Sequence, residues 1–144
     1  MALRPTVPSA ILVALTHEAQ SALGKGEMRI TKFPFKVGRE SRSGRFEKFM
    51  AEVERRLNSL PPLNDLYLVE PPSETLHISR EHFAIEHVDG QFVVVDRESA
   101  LGTMVGGTQV GSDQRARRAH LQDGDEIVVG DASSPYVFRF QIEA

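Results

Sequence analysis

The sequence contains no cysteine. That absence excludes disulfide staples, thiolate metal sites and cysteine nucleophiles, and it tilts the expected location toward the cytoplasm. Positive charge is not in excess either. Lys and Arg number 17 against 20 Asp and Glu, a net charge of −3, which argues against a nucleic-acid partner because such surfaces are ordinarily basic. No apolar run approaches the roughly 18 residues of a membrane span. Ser9 to Ala14 is apolar but short, with neither the charged flank nor the cleavage pattern of a signal peptide, so no membrane partner is expected. Catalytic and metal signatures are equally scarce. No serine sits in a strand–turn–helix elbow, and Gly24-Lys25-Gly26 is too short for a phosphate loop. His77 and His82 stand five apart without further ligands. Asp123-Gly124-Asp125 lacks the downstream glutamate and the ladder of oxygen ligands of a calcium loop. An enzyme, a metal site or a cofactor is therefore not expected.

What is present is the make-up of one globular domain: 144 residues, 40% hydrophobic and 26% charged, enough chain for one hydrophobic core. Residues 1–9, with two prolines, read as a loose N-terminal arm, and 10–144 as a single domain. Ile11 to Leu15 reads as a buried strand. Glu27 to Val37 reads as two short strands broken near Pro34, a hairpin that Gly38-Arg39-Glu40 ends. Strand signals resume at Leu66–Val69, His82–Val88, Gln91–Asp96, Gly102–Val105, Thr108–Val110 and Glu126–Val129. In the last strand Phe138, Phe140 and Ile142 alternate cleanly with Arg139, Gln141 and Glu143. Asp89-Gly90 and Gly106-Gly107 read as two-residue hairpin turns. One helix is expected, over residues 45–60 within an insertion at 41–65. Its apolar residues, Phe46, Phe49, Met50, Val53, Leu57 and Leu60, fall at helical steps. Ser43-Gly44 offers a start, and Pro61-Pro62 stops it. Many short strands with glycine-rich turns predict an antiparallel sandwich or barrel.

Between those strand-like runs lie Gly38-Arg39, Ser79-Arg80-Glu81-His82, and Ser99-x-x-Gly102-Thr103 followed by Gly106-Gly107. A serine and two arginines on turn-like segments are the residue types that hold a phosphate without reacting with it. A phosphorylated side chain carries close to two negative charges and three acceptor oxygens. Arginine meets such oxygens with a planar fork, and serine adds a hydroxyl donor. In this order, and with the late segment Leu121-x-Asp123-Gly124-Asp125-x-Ile127-x-x-Gly130, the set resembles the forkhead-associated (FHA) domain over residues 10–143. The resemblance implies an all-β fold: an antiparallel β-sandwich of about eleven strands, here with one inserted α-helix, whose loops at one end bind phosphothreonine peptides. It implies a signalling adaptor rather than an enzyme, with a phosphothreonine-containing protein as partner. By resemblance Arg39 and Ser79 contact the phosphate, and Arg80 helps hold the peptide backbone. Gly38, His82, Gly102 and Thr103 shape the loops.

Ala100 and Leu101 occupy the peptide-contacting positions where the family usually carries a Thr-Asn pair. Neither side chain can hydrogen-bond a phosphate or a peptide main chain. Some bacterial members are similar in carrying a Ser-x-Leu-Gly-Thr pattern, so Leu101 also reads as the mark of a subgroup. The alternative is an FHA fold used for phosphate-independent contact or self-association, such as a homodimer through the inserted helix. Piece by piece, Arg39 also reads as a surface arginine paired with Glu40 or Glu81, and Ser79 as a simple turn serine. His82 reads as a structural histidine. Arg115, Arg117 and Arg118 read as a solvated loop or a contact for an acidic partner.

Overall fold

The computed structural model of the chain describes residues 8–40, 63–73, 75–112 and 116–143. The helix expected over 45–60, most of the insertion at 41–65, most of the N-terminal arm and Arg115 lie outside the described residues. Eleven strands and one short helix follow in the order β1 (Ala10–Ala14), α1 (His17–Leu23), β2 (Glu27–Ile30), β3 (Phe35–Arg39), β4 (Leu66–Leu68), β5 (Phe83–Val88), β6 (Gln91–Asp96), β7 (Thr103–Val105), β8 (Thr108–Val110), β9 (Arg118–Leu121), β10 (Glu126–Val129) and β11 (Val137–Ile142). They form two sheets, one ordered β2-β1-β11-β10-β7-β8 and the other β4-β3-β5-β6-β9. Pairing is antiparallel throughout except between β3 and β4, which run parallel.

Period-two alternation puts one face of each sheet into a shared core. Leu12, Ile127, Phe138 and Phe140 come from the first sheet, and Val37, Leu68, Phe83, Ile85 and Val94 from the second, all with no exposed surface. Burying one such side chain contributes about 1.5–3 kcal/mol. The β11 alternation read from the sequence holds for Phe138 and Phe140, while Ile142, past the edge of the core, is exposed. The turn Asp89-Gly90 has φ of 51° and 78°, and Gly106-Gly107 has 57° and 87°. Positive φ at both central residues is the turn whose twist matches a two-residue hairpin.

Three expectations change. Arg118, read as part of a solvated loop, opens β9, which pairs with β6. The strands either side of Pro34 do not form a hairpin. β2 pairs with β1 in one sheet, and β3 pairs with β4 and β5 in the other. Pro34 breaks the strand where expected, but the chain crosses between layers there, with Phe33 packed on Phe92 at a ring separation of 5.3 Å. Alternation says which face is buried; it does not name the partner strand. The helix α1 was not expected at all. Thr16 caps it by accepting from the Ala19 N–H, and Gly24 ends it at a left-handed φ of 82°. It buries only Ala19 and Ala22, too small a stripe to show as periodic hydrophobicity. No helix among the described residues is long and apolar enough to cross a membrane.

The register fixes which loops share an end. Thr103 opens β7 opposite Val129, and Val128 lies opposite Val137. β11 then runs away from that end to Ile142, which faces Ala10, and the Glu143 N–H donates to the Ser9 carbonyl at 3.0 Å. The two ends of the described chain therefore lie side by side, at the pole opposite Thr103.

Candidate functional site

Arg39 is the last residue of β3. Its backbone N–H donates to the Ser79 carbonyl at 2.9 Å, and its Nη1 donates to the Ile78 carbonyl at 2.9 Å. The guanidinium is thus held by one corner, with its remaining donors in a half-buried setting. Ser79 lies in the segment leading to β5. Its Oγ accepts from the Ala100 N–H at 3.0 Å, which brings the loop after β6 against the loop before β5. An oxygen occupied as an acceptor still has its proton to donate. Both loops hang from strands of the same sheet, so the sheet sets their spacing.

Gly38 is where it is because nothing larger fits. A Cβ there would stand 1.9 Å from the Arg80 carbonyl oxygen and 2.6 Å from Asn64 Nδ2. The Asn64 amide donates to the Arg80 carbonyl at 2.7 Å. Arg80 is therefore fixed by its backbone. Its side chain is exposed and has no hydrogen-bond or ion-pair partner among the described residues. On the other side of Asn64, its Oδ1 accepts from Arg97 Nη1. Arg97 Nη2 also donates to the Leu63 carbonyl at 2.9 Å and to Glu81 Oε1 at 2.7 Å. Arg97 thus joins its own loop to residues 63–64 and to Glu81, in contrast to Arg80.

His82 is completely buried. Its Nδ1 accepts from the Ser79 N–H at 2.9 Å, and its Nε2 lies 2.7 Å from the Gly102 carbonyl. An N–H must find an acceptor and a carbonyl must find a donor, so the ring is neutral with its proton on Nε2. Burial lowers its pKa from the ordinary 6.5, opposed by the Gly102 hydrogen bond and by the charges of Asp96 and Glu70. The ring ties the serine loop to the loop after β6.

That second loop is organised by a buried carboxylate. Asp96 Oδ2 accepts from the Ser99 N–H at 3.0 Å, and Oδ1 accepts from Ser99 Oγ at 2.6 Å and Thr103 Oγ1 at 2.9 Å. Ser99 Oγ in turn accepts from the Gly102 N–H at 3.0 Å. Ala100 sits at the exposed tip. Leu101 is half-buried, and its carbonyl accepts from Gln109 Nε2 at 3.1 Å.

A second buried carboxylate lies behind Ser79. Glu70, with its side chain 3% exposed, accepts from the His77 N–H at 2.9 Å, the Ile78 N–H at 2.8 Å and His77 Nδ1 at 3.0 Å. Burial and the charge of Glu70 push the Tyr136 phenol up to about 12. The bonds to His77 and Ile78 tie the segment back to Glu70 across residues 71–73 and 75–76, which are exposed.

Arg39 at the end of β3, Ser79, Arg80 and His82 in the segment before β5, and Ala100, Gly102 and Thr103 between β6 and the start of β7 therefore meet at one end of the sandwich, joined by hydrogen bonds. Arg117 flanks the loop after β6, its carbonyl accepting from the Asp96 N–H and its guanidinium paired with Glu98, while Arg118 pairs with Glu86 on the surface. The residues that sequence reasoning did not single out are Asn64, Glu70, Asp96 and Arg97. Asp96 had a signal: it ends an alternating strand on the inward face, three residues before a serine, the spacing of a side-chain-to-backbone turn. Glu70 and Asn64 had none, because their partners are distant in the chain or set by the fold. Among the described residues no cluster of three metal-ligating side chains exists.

A family model described as FHA domain matches residues 56–130, just over half of the chain. No curated protein matches the chain in sequence. Among solved structures, the first FHA domain of Rv1747 from Mycobacterium tuberculosis is 16% identical, with a TM-score of 0.58 over 96% of this chain and 100% of that one. The FHA domain of CT664 from Chlamydia trachomatis is 17% identical, with a TM-score of 0.53 over 94% of this chain and 97% of that one. EmbR from Mycobacterium tuberculosis, solved in complex with a low-affinity phosphopeptide, is 19% identical with a TM-score of 0.54. The match covers 94% of this chain and spans a quarter, 25%, of the EmbR chain.

Proposed function

Because the chain belongs to the FHA domain family, we propose that it is a phosphothreonine-binding adaptor, recognising a phosphorylated protein or peptide without turning it over. The observation that carries this reading is the state of Ser79. Its hydroxyl oxygen accepts from the Ala100 N–H, which leaves its proton to donate to an incoming acceptor. Arg39 stands beside it through the Ile78 and Ser79 carbonyls, and the exposed Arg80 guanidinium, without a partner among the described residues, borders the same loop. A hydroxyl donor with two cations suits a dianion with three acceptor oxygens. EmbR, which shares the fold, was solved with a phosphopeptide bound. In this reading Arg39 and Ser79 take the phosphate, Arg80 takes phosphate or peptide backbone, and the exposed tip at Ala100 and Leu101 meets the peptide.

Ala100 and Leu101 supply no side-chain hydrogen bonds, which favours a second reading, a contact made without phosphate. Titration with a phosphothreonine peptide library beside its unphosphorylated copy separates the two. Binding only of the phosphorylated set is expected. Equal binding of both sets makes the contact phosphate-independent, and binding of neither removes the reading.

A further inference from the structure

We propose that Glu70 is a positioning residue of this phosphate site: its buried carboxylate sets Arg39 and Ser79 together through the single peptide segment His77-Ile78. The inference rests on the phosphothreonine reading above. Glu70 touches neither Arg39 nor Ser79. It accepts from the His77 and Ile78 N–H groups and from His77 Nδ1. The opposite pole of the same residue, the Ile78 carbonyl, accepts from Arg39 Nη1. The next residue is Ser79, whose carbonyl accepts from the Arg39 N–H. Ile78 is thus clamped between an anion on its N–H and a cation on its carbonyl, and its side chain is 1% exposed in the core.

The electrostatics make the placement informative. Glu70 is close enough to act on His82, whose Nδ1 accepts from the Ser79 N–H. A carboxylate that close to an anion site opposes binding, and burying it is costly unless its oxygens are hydrogen-bonded. The segment that presents Ser79 supplies three donors to its oxygens, the His77 N–H, the Ile78 N–H and His77 Nδ1, and the Tyr136 hydroxyl lies beside it as a further partner. On its own side Glu70 is fixed as well, since Val69 donates its N–H to the Ala22 carbonyl at the end of α1, at 3.0 Å. The carboxylate therefore transfers the position of β4 and α1 to the serine loop. Without it, residues 77–78 lose their tie to β4, and the Arg39–Ile78 bond loses its fixed acceptor.

The test compares Glu70→Ala, Glu70→Gln and Glu70→Asp with the wild type. The ligand-free protein is read by amide and arginine Nε–H NMR signals and hydrogen exchange. Bound affinity is read by calorimetry with N-acetyl-phosphothreonine methylamide. In the ligand-free protein, Glu70→Ala is expected to move the Ser79, Ala100 and Arg39 Nε signals and speed exchange at Ile78, while the β1–β11 amides stay in place. Affinity is expected to fall about tenfold in Glu70→Ala, the weight of roughly one charge-assisted hydrogen bond. Glu70→Gln, which keeps the reach and one acceptor oxygen, recovers part of it. Glu70→Asp, which keeps the charge but not the reach, does not. Adding Glu70→Ala to Arg39→Ala should cost little more than Arg39→Ala alone, because both act on one unit. Unmoved Ser79 and Arg39 signals, or full independence of the two losses, overturns the proposal. If Glu70→Ala does not fold, Glu70→Asp carries the same comparison. A wild type that binds no phosphothreonine overturns the functional reading, and the ligand-free signals still decide the role of Glu70.

Discussion

Ser79 Oγ accepts one hydrogen bond and has one to give, and Arg39 is held at one nitrogen with others to spare. On the proposed phosphothreonine reading, removing either removes a charge-assisted bond to the phosphate, worth about 1.5–3 kcal/mol or one to two decades in affinity. Arg39→Ala and Ser79→Ala are each expected to weaken a phosphothreonine peptide more than tenfold in calorimetry, with melting curves close to wild type. Unchanged affinity in both variants would place the phosphate elsewhere. His82 behaves differently, because both of its nitrogens serve the backbone. His82→Ala strands the Ser79 N–H and the Gly102 carbonyl, at about 1–3 kcal/mol. Its melting temperature should fall first and its affinity only as a consequence; a wild-type melting curve with binding abolished would mark direct contact instead. At this scale the sequence was legible where a residue acts in a short, ordered motif. Asn64, Glu70 and Arg97 were not legible, because a buried carboxylate or a pinned amide is defined by neighbours the fold delivers, and nothing in its own vicinity along the chain announces them.

Elements carry the site by how closely their backbones approach. β3 passes so near the Arg80 carbonyl that only glycine fits at position 38. Gly38→Ala should therefore separate β3 from the serine loop. Stability is expected to drop by an amount in the overpacking range of about 1–3 kcal/mol, and affinity with it, read by thermal melts beside calorimetry. The loop between β6 and β7 is the opposite case, since Asp96 holds its base and leaves its tip outward. Leu101→Asn places an amide where the family usually has one, and a new bond to a peptide backbone should add about 0.5–1.5 kcal/mol of affinity. No gain, or a lower melting temperature, would mean that Leu101 packs rather than recognises. Strand periodicity found nearly every β element, since alternation is a local property of the chain. It did not find the change of sheet at Pro34 or the helix α1. Partner choice is a long-range matter, and two buried alanines leave no periodic trace.

Over the whole molecule, acid should act in two stages. Burial keeps the His82 pKa below its ordinary 6.5, so the unfolded chain takes up that proton first. Stability is then lost as pH falls from about 6.5 until the folded ring itself protonates. Glu143 and Asp131 are also lowered, from 4.5 and 3.8, by hydrogen bonds from Arg29 and Ser133. Their contributions persist to lower pH before being lost, and they are small because both groups are exposed. Urea unfolding across this range should show an upper limb that disappears in His82→Ala. The architecture was legible as a sandwich because its patterning, turns and motifs agreed with one another. A different property follows from the bond between Glu143 and Ser9. Because β1 and β11 are neighbours and Ser9 and Glu143 are paired at the pole away from Ser79, those two positions can be bridged without crossing the phosphate loops. A circular permutant, opened at the Asp89-Gly90 turn and joined from Glu143 to Ser9 by a short linker, should keep the phosphate loops intact. Its affinity for a phosphothreonine peptide should equal that of the original chain.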